Sequence, residues 1–353
     1  MREIFIVFWR FNKASGAGRA VVNLANILAS QYKTRIICTD STTGKPDYPL
    51  DNRVEIIHLG MGFGINLIGK MRKFITLRRR LPNVLPKGCC AIGTNTPINI
   101  VLSQINGIGT IGCEHINYSS CNQFYSILRR LAYRKLNRVV LLTENDQKKY
   151  TFLHNTCVIP NSLSFAPVPK NDYTEKNILA IGRLTHQKGF DILLDAAKLL
   201  ESEHSDWHIT IVGEGEDYGS LMEKIEKLKL NNFVRIIEPV SDMISLYHSA
   251  SIYVMSSRFE GLPMVLIEAQ SCGLPIVSFD CPEGPAELIE NDKNGFLVPA
   301  YDIGLLANKL SILINDIDLR EEFGKNAFKQ TQQFSTKKIA EMWFNLLERD
   351  LYQ

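Results

Sequence analysis

The sequence predicts an α/β protein made of two consecutive doubly wound halves, and three observations carry that prediction. Short apolar runs rich in β-formers alternate with helix-period segments along most of the chain, which is the pattern of a parallel sheet covered by helices on both faces. The alternation restarts after an aperiodic, proline-containing interval that begins at Pro160 (PNSLSFAPVPKNDYTEKN), the best linker in the chain. At 353 residues the chain also exceeds the size at which a single core stops growing. Two such halves imply a cleft between them, and clefts between domains are favoured ligand sites.

The first half opens on Glu3 to Trp9, an apolar strand, followed by ASGAGRAVVNLANILASQ (Ala14 to Gln31), a glycine-rich turn leading into an amphipathic helix. Strand, glycine loop and helix form a phosphate-binding arrangement. The glycines are Gly16 and Gly18, and Val21 stands where a dinucleotide fingerprint needs its third glycine, so that fingerprint fails. A purely structural turn would leave the same pair of glycines. Further strands are expected at Thr34 to Thr39, Val54 to Leu59, Ala91 to Thr94, Gly109 to Cys113 and Arg138 to Thr143.

Gly64, Gly69 and Lys70 have P-loop spacing, but Met71 supplies no hydroxyl for magnesium, which excludes that reading. The segment KMRKFITLRRRL gathers Lys70, Lys73, Arg78, Arg79 and Arg80 on a helix with Phe74, Ile75 and Leu77. Such a helix suits an anionic membrane surface or an acceptor phosphate, and a solvated helix face gives the same pattern. CEHINY places Glu114 and His115 just past the strand Gly109 to Cys113, at the carboxyl edge where open α/β sheets keep their chemistry.

The second half begins with the strand Asn177 to Gly182, then RLTHQKGFD, whose Arg183 and Lys188 precede a helix starting near Asp191. Two cations on a strand-to-helix loop can clamp a diphosphate, Arg with a fork and Lys as a point charge. Strands at Trp207 to Val212 and Val234 to Glu238 follow, and then the stretch that organises this half, IYVMSSRFEGLPMVLIEAQSCG from Ile252 to Gly273. It reads as a buried strand, a tight turn and a helix opened by Pro263 and stopped at Gly273. Free N–H groups at a helix start favour phosphate. Glu260 and Glu268 repel phosphate and, as acceptors, call for hydroxyls. A ligand with both, such as a sugar nucleotide, fits. The strands Pro275 to Phe279 and Phe296 to Val298 and helices at Leu305 to Ile314, Leu319 to Gln332 and Thr336 to Leu351 complete the chain.

Composition excludes several classes. With 40 basic against 37 acidic residues, whole-protein charge gives no basis for nucleic-acid binding. Eight cysteines without a C-x-x-C pair carry no zinc or redox signature and read as buried free thiols. No secretory signal and no run of membrane-spanning length is visible, so a cytoplasmic protein, soluble or peripheral to the membrane, is expected.

The set GRLTHQKGFD, VGEGE, FEGLPMVLIEA and NGFLV, in this order and spacing, resembles the retaining glycosyltransferases of family 4, whose fold is called GT-B. Glu260 and Glu268 supply that family's pair of glutamates separated by seven residues. VVLLTENDQKKY, VIPNSL and SGAGRAVVNLA resemble it too, and DCPEGPAELI is similar to the loop of bacterial enzymes that build lipopolysaccharide, O-antigen and exopolysaccharide. The resemblance implies two Rossmann-like domains facing a cleft. Residues 1–165 would form the acceptor-side domain, joined by a C-terminal helix of about 336–353 that packs back on it, and 172–335 the sugar-nucleotide domain. Arg183 and Lys188 would hold the donor diphosphate without a metal or other cofactor, with Gly16 and Gly18 approaching it. Glu268 would accept from the ribose hydroxyls, Gly261 and Leu262 would offer backbone N–H groups, and the strand end near Val240 would pack against the base. Glu260 and His115 would act on the transferred sugar. Ser15 and Gly18 depart from the family's Gly-Gly-x-Glu loop, and Glu238 and Pro239 stand where a glycine is common.

The expected activity is transfer of a hexose or N-acetylhexosamine from a nucleotide-sugar, with UDP the expected nucleotide, to a lipid-linked or polysaccharide acceptor at the inner membrane face. Lys73, Arg78, Arg79 and Arg80 would contact acceptor or membrane. The alternatives are a UDP-sugar epimerase of similar fold and a non-catalytic sugar-nucleotide-binding protein.

Overall fold

The computed structural model describes residues 3–11, 16–40, 46, 48–62, 67–115, 123–170, 172–282 and 284–351. Ala14 and Ser15 of the glycine loop, Ile116 to Tyr118 of CEHINY and Glu283 lie outside the described residues. The chain divides into two compact units, Met1–Ser164 with Thr336–Gln353, and Phe165–Ser335. Both are α/β with fully parallel sheets.

The first unit contains β1 (Glu3–Phe8), α1 (Gly16–Ala29), β2 (Lys33–Cys38), β3 (Glu55–His58), α2 (Leu67–Val84), β4 (Cys90–Gly93), α3 (Thr96–Leu102), β5 (Gly109–Cys113), α4 (Gln123–Ala132), β6 (Arg138–Leu141), α5 (Glu144–Lys149) and β7 (Thr156–Val158). The strand order is β3-β2-β1-β4-β5-β6-β7. Period-two alternation along β1 feeds two cores. Ile4, Ile6 and Phe8 join one layer with α1, and Phe5 and Val7 join the other with Leu77, Leu81, Ile98 and Val101. The C-terminal helix, which is α13 (Thr336–Leu351) in chain order, lays Ile339, Trp343 and Leu347 into the α1 layer. Their spacing of four forms one apolar stripe, which is why this helix belongs to the first unit.

The second unit contains β8 (Asn177–Ile181), α6 (Phe190–Glu201), β9 (His208–Val212), α7 (Tyr218–Leu228), β10 (Val234–Ile237), α8 (Met243–His248), β11 (Ile252–Met255), α9 (Met264–Ser271), β12 (Ile276–Asp280), α10 (Pro285–Leu288), β13 (Gly295–Pro299), α11 (Ile303–Asn315) and α12 (Ile317–Gln330). Its sheet runs β10-β9-β8-β11-β12-β13. Among its described residues, the segment expected as a linker carries no strand or helix between β7 and β8, yet its backbone is tied down. Val168 and Lys170 donate to the carbonyls of Ser271 and Cys272, and the Tyr173 hydroxyl donates to Gly273 O. These carbonyls lie at the end of α9, where a helix leaves acceptors unpaired, so the segment serves as that helix's C-terminal cap.

Among the described cysteines, Cys38, Cys89, Cys90, Cys113, Cys272 and Cys281 are buried, and Cys157 is partly buried. No described helix is long and apolar enough to cross a membrane.

Candidate active site

The order of the second sheet fixes where its chemistry sits. The chain lays β9 and β10 outward on one side of β8, then returns to lay β11, β12 and β13 on the other. The loops leaving the carboxyl ends of β8 and β11 therefore diverge at the switch point, where doubly wound sheets open a crevice. These are the loops that carry Arg183 and Lys188, and Glu260.

Close backbone approach shapes the β8 loop. Leu184 N donates to Glu214 O at 2.9 Å and Asp217 N to Leu184 O at 3.0 Å, strapping the loop to the VGEGE turn. A Cβ on Gly213 would lie 1.9 Å from Gly182 O, so only glycine permits the strap. The loop then makes a single turn of 3-10 helix, His186–Lys188, and ends on Gly189 in the left-handed region, φ 64°. A Cβ there would lie 2.1 Å from Ser256 O, so the loop seats directly on the backbone that follows β11.

Side chains complete this seam. Arg258 donates from Nη1 and Nη2 to both carboxylate oxygens of Asp191 at 2.8 and 2.6 Å, and from Nη1 to His186 O at 2.7 Å. Arg258 N donates to Gln187 O, Gln187 Nε2 to Phe259 O, and Ser256 Oγ to Lys188 O. The forked hydrogen bonds from Arg258 hold the Asp191 carboxyl below its ordinary range and raise Arg258 in return.

The seam brings Lys188 Nζ to 2.6 Å from Glu260 Oε1, which also accepts from Ser257 Oγ at 2.6 Å. Both charged side chains are largely buried. The sequence reading gave Lys188 to a diphosphate and Glu260 to a sugar as separate tasks; the structure joins them as one ion pair. Arg183 is exposed beside this loop and pairs with no described acidic residue.

Pro263, expected at the first helical position, is instead the N-cap of α9, in extended geometry with φ −76° and ψ 103°. Proline's fixed φ suits either place. The backbone N–H groups of Gly261 and Leu262, immediately upstream, donate to no backbone carbonyl among the described residues. Glu268 lies one turn into the helix and is 0% exposed, with its Oε2 accepting from the Tyr247 hydroxyl at 2.9 Å. Val240 is exposed in the loop after β10.

The other expected site residues lie in the first unit. Gly16 begins α1 and Gly18 is buried within it. His115 follows β5, and both its ring nitrogens are shielded from water with no hydrogen-bond partner among the described residues. Burial depresses its pKa to about 4, so at neutral pH the ring is uncharged. Its neighbour Glu114 is buried in a polar cluster with Tyr133, Asn99 and Thr96, with Asn99 Nδ2 donating at 3.1 Å and the Tyr133 hydroxyl donating to Oε1. Burial raises the Glu114 carboxyl, opposed by the Tyr133 hydrogen bond and the charge of Arg129.

One expected contact is corrected. Lys73 does not share the outward basic face of α2: it pairs with Asp40 and stands 3.2 Å from the centroid of the Trp9 ring. Lys73, Leu77 and Leu81 fall at intervals of four, so the helix turns Lys73 inward with the buried leucines. Arg78, Arg79 and Arg80 do face solvent, Arg80 while donating to Leu59 O at 2.8 Å. Among the described residues no cluster of His, Cys, Asp and Glu suited to a metal occurs. The sequence reading did not identify Arg258, Asp191, Ser257 or Tyr247. The first two had a signal, opposite charges on the same two loops as Glu260 and Lys188.

Comparison with known proteins matches residues 165–330 to the family described as "Glycosyl transferases group 1". Over 98% of this chain and 100% of the other, the sequence is 30% identical to the amylovoran biosynthesis glycosyltransferase AmsD of Erwinia amylovora. It is 29% identical, over 98% of each chain, to a Campylobacter jejuni alpha-1,4-N-acetyl-D-galactosaminyltransferase named for an undecaprenol-diphosphate-linked glycan. The fold is similar to that of an S. aureus TarM mutant, with a TM-score of 0.83, 16% identity and coverage of 98% and 99% of the two chains. It is likewise similar to the pneumococcal O-GlcNAc transferase GtfA, with a TM-score of 0.80, 16% identity and 100% and 99% coverage. With two parallel-sheet Rossmann-like units in the GT-B manner and a relative aligned along essentially its whole length, the chain belongs to the group 1 glycosyl transferases and is a glycosyltransferase.

Proposed function

We propose that this glycosyltransferase moves a hexose or N-acetylhexosamine from a UDP-sugar to a lipid-linked or polysaccharide acceptor in bacterial surface glycan synthesis, with retention of configuration and without a metal. The observation that carries the reading is the meeting of Lys188 and Glu260 at the switch point of the second sheet, beside the exposed Arg183. This supplies cations for a diphosphate and a carboxylate for sugar hydroxyls at one place. Support for the donor and acceptor classes comes from the relatives: the TarM and GtfA structures contain UDP, AmsD is named for amylovoran biosynthesis, and the C. jejuni enzyme for an undecaprenol-linked glycan.

In this reading Arg183 and Lys188 neutralise the charge that builds on the departing diphosphate. The Gly261 and Leu262 N–H groups bind sugar or phosphate, and Glu268 accepts from the ribose. The acceptor oxygen bonds to the anomeric carbon as the bond to the phosphate oxygen breaks on the same face, and the leaving diphosphate takes the acceptor proton. A glycosyl ester trapped on Glu260 would overturn front-side displacement in favour of a covalent intermediate. The first test is incubation of UDP-glucose, UDP-galactose and their N-acetylated forms with and without undecaprenol-diphosphate-linked acceptor. Glycolipid formed only with acceptor supports transfer, whereas an isomerised UDP-sugar without acceptor supports the epimerase alternative.

The first unit is proposed to take the acceptor at an anionic membrane surface on the cytoplasmic face. Ile68, Met71 and Ile75 on α2 and Ile127 and Leu131 on α4 are large apolar residues exposed to solvent. They stand among the exposed Lys70, Arg72, Arg78, Arg79 and Arg130, with no acidic residue in either helix. Apolar residues interleaved with cations suit an interfacial helix. Replacing Arg78, Arg79 and Arg80 together with Ser is expected to lower co-sedimentation with phosphatidylglycerol vesicles in low salt. Equal sedimentation of both proteins would return the helix to a solvated face.

A further inference from the structure

The ion pair has a consequence beyond holding the donor, and it rests on reading Lys188 as the diphosphate ligand and Glu260 as the sugar ligand. Glu260 Oε1 takes both the Lys188 ammonium and the Ser257 hydroxyl, each at 2.6 Å. The loops on either side cannot part easily. Arg258 is forked onto Asp191 and bonded to His186 O, Ser256 Oγ holds Lys188 O, and the Gly189 backbone lies against Ser256 O. The backbone keeps the two side chains within reach, so a diphosphate gains the ammonium only against the attraction of Glu260.

The two forms of nucleotide meet that competition differently. A carboxylate accepts hydrogen bonds and donates none, so an intact nucleotide-sugar compensates Glu260 with neutral hydroxyls while its phosphates take Lys188. A nucleoside diphosphate brings no hydroxyl at that end and adds charge on its terminal phosphate, leaving a largely buried carboxylate beside an anion. We propose that Glu260 is an internal competitor of the diphosphate, selecting the intact nucleotide-sugar over the nucleoside diphosphate left after transfer and so favouring release of that product. Ser257, the carboxylate's other donor, keeps Glu260 in the competing position.

The test is calorimetric titration of UDP, and of the four UDP-hexoses above, into the wild-type protein, Glu260→Gln and Lys188→Ala. Glu260→Gln is expected to bind UDP more tightly, on the order of tenfold, while its affinity for the best UDP-hexose does not rise. UDP binding by Glu260→Gln that is equal to or weaker than wild type would overturn the proposal. Glu260→Ala, which removes the charge without leaving an amide to place against Lys188, is expected to show the same gain and stands in if the glutamine variant misfolds. If Lys188→Ala binds UDP as tightly as wild type, the diphosphate reading itself falls, and the competition with it.

Discussion

Lys188→Ala is expected to lower turnover with a UDP-sugar by about 10²–10³-fold, the loss seen when one preorganised charge-stabilising contact is removed from a transition state. Part of any loss can come from the fold, because the substitution also strips Glu260 of its cation. Breaking a buried ion pair from one side costs about 3 kcal/mol or more where the remaining charge stays enclosed. The two effects separate in the double variant Lys188→Ala with Glu260→Gln. That variant is expected to regain most of the wild-type melting temperature, since no unpaired charge is left, while turnover stays low. Recovery of both together would assign Lys188 a structural role alone.

Gly189→Ala is expected to lower stability on the order of 3 kcal/mol, from a left-handed backbone and a clash added together. The φ of 64° at Gly189 disfavours any Cβ, and the added atom would lie 2.1 Å from Ser256 O. Relief requires the Lys188 loop to lift from the β11 loop, which separates the ammonium from Glu260 and is read as lost stability. Gly219→Ala is the control, because a Cβ at that exposed position near the start of α7 meets nothing within 4 Å. There the same change is expected to be neutral or to gain up to about 1 kcal/mol from helix propensity. Equal urea midpoints for the two variants would contradict the close seat of the Lys188 loop.

The fold was legible because its signals are local. From Ile252 to Gly273 the apolar pattern passes from a short β-rich run to a helical stretch with a proline before it and a glycine after it. The structure answers with β11, α9 and a Gly273 at φ 77°, each boundary within a few residues. β7 escaped because three residues, Thr156–Val158, give no period to read. The site was legible only in its parts. Lys188 and Glu260 are 72 residues apart, and nothing in either loop states that they touch until the sheet order places β8 beside β11. The Arg258–Asp191 fork follows from the same adjacency. The cluster of Glu114, Asn99 and Tyr133 joins three separate stretches of the first unit in the same way. Lys73 is a different case: its spacing from Leu77 and Leu81 already marks the inner face of α2, and charge alone misdirects the reading.

The most direct measurement of the central claim is acceptor-dependent transfer from a UDP-hexose, followed as UDP release and glycolipid formation together, with wild type and Lys188→Ala run side by side. The Lys188–Glu260 site predicts that wild type forms both products in equal amounts and only with acceptor present, and that Lys188→Ala is slower by about 10²–10³-fold. Transfer by Lys188→Ala at the wild-type rate would contradict it.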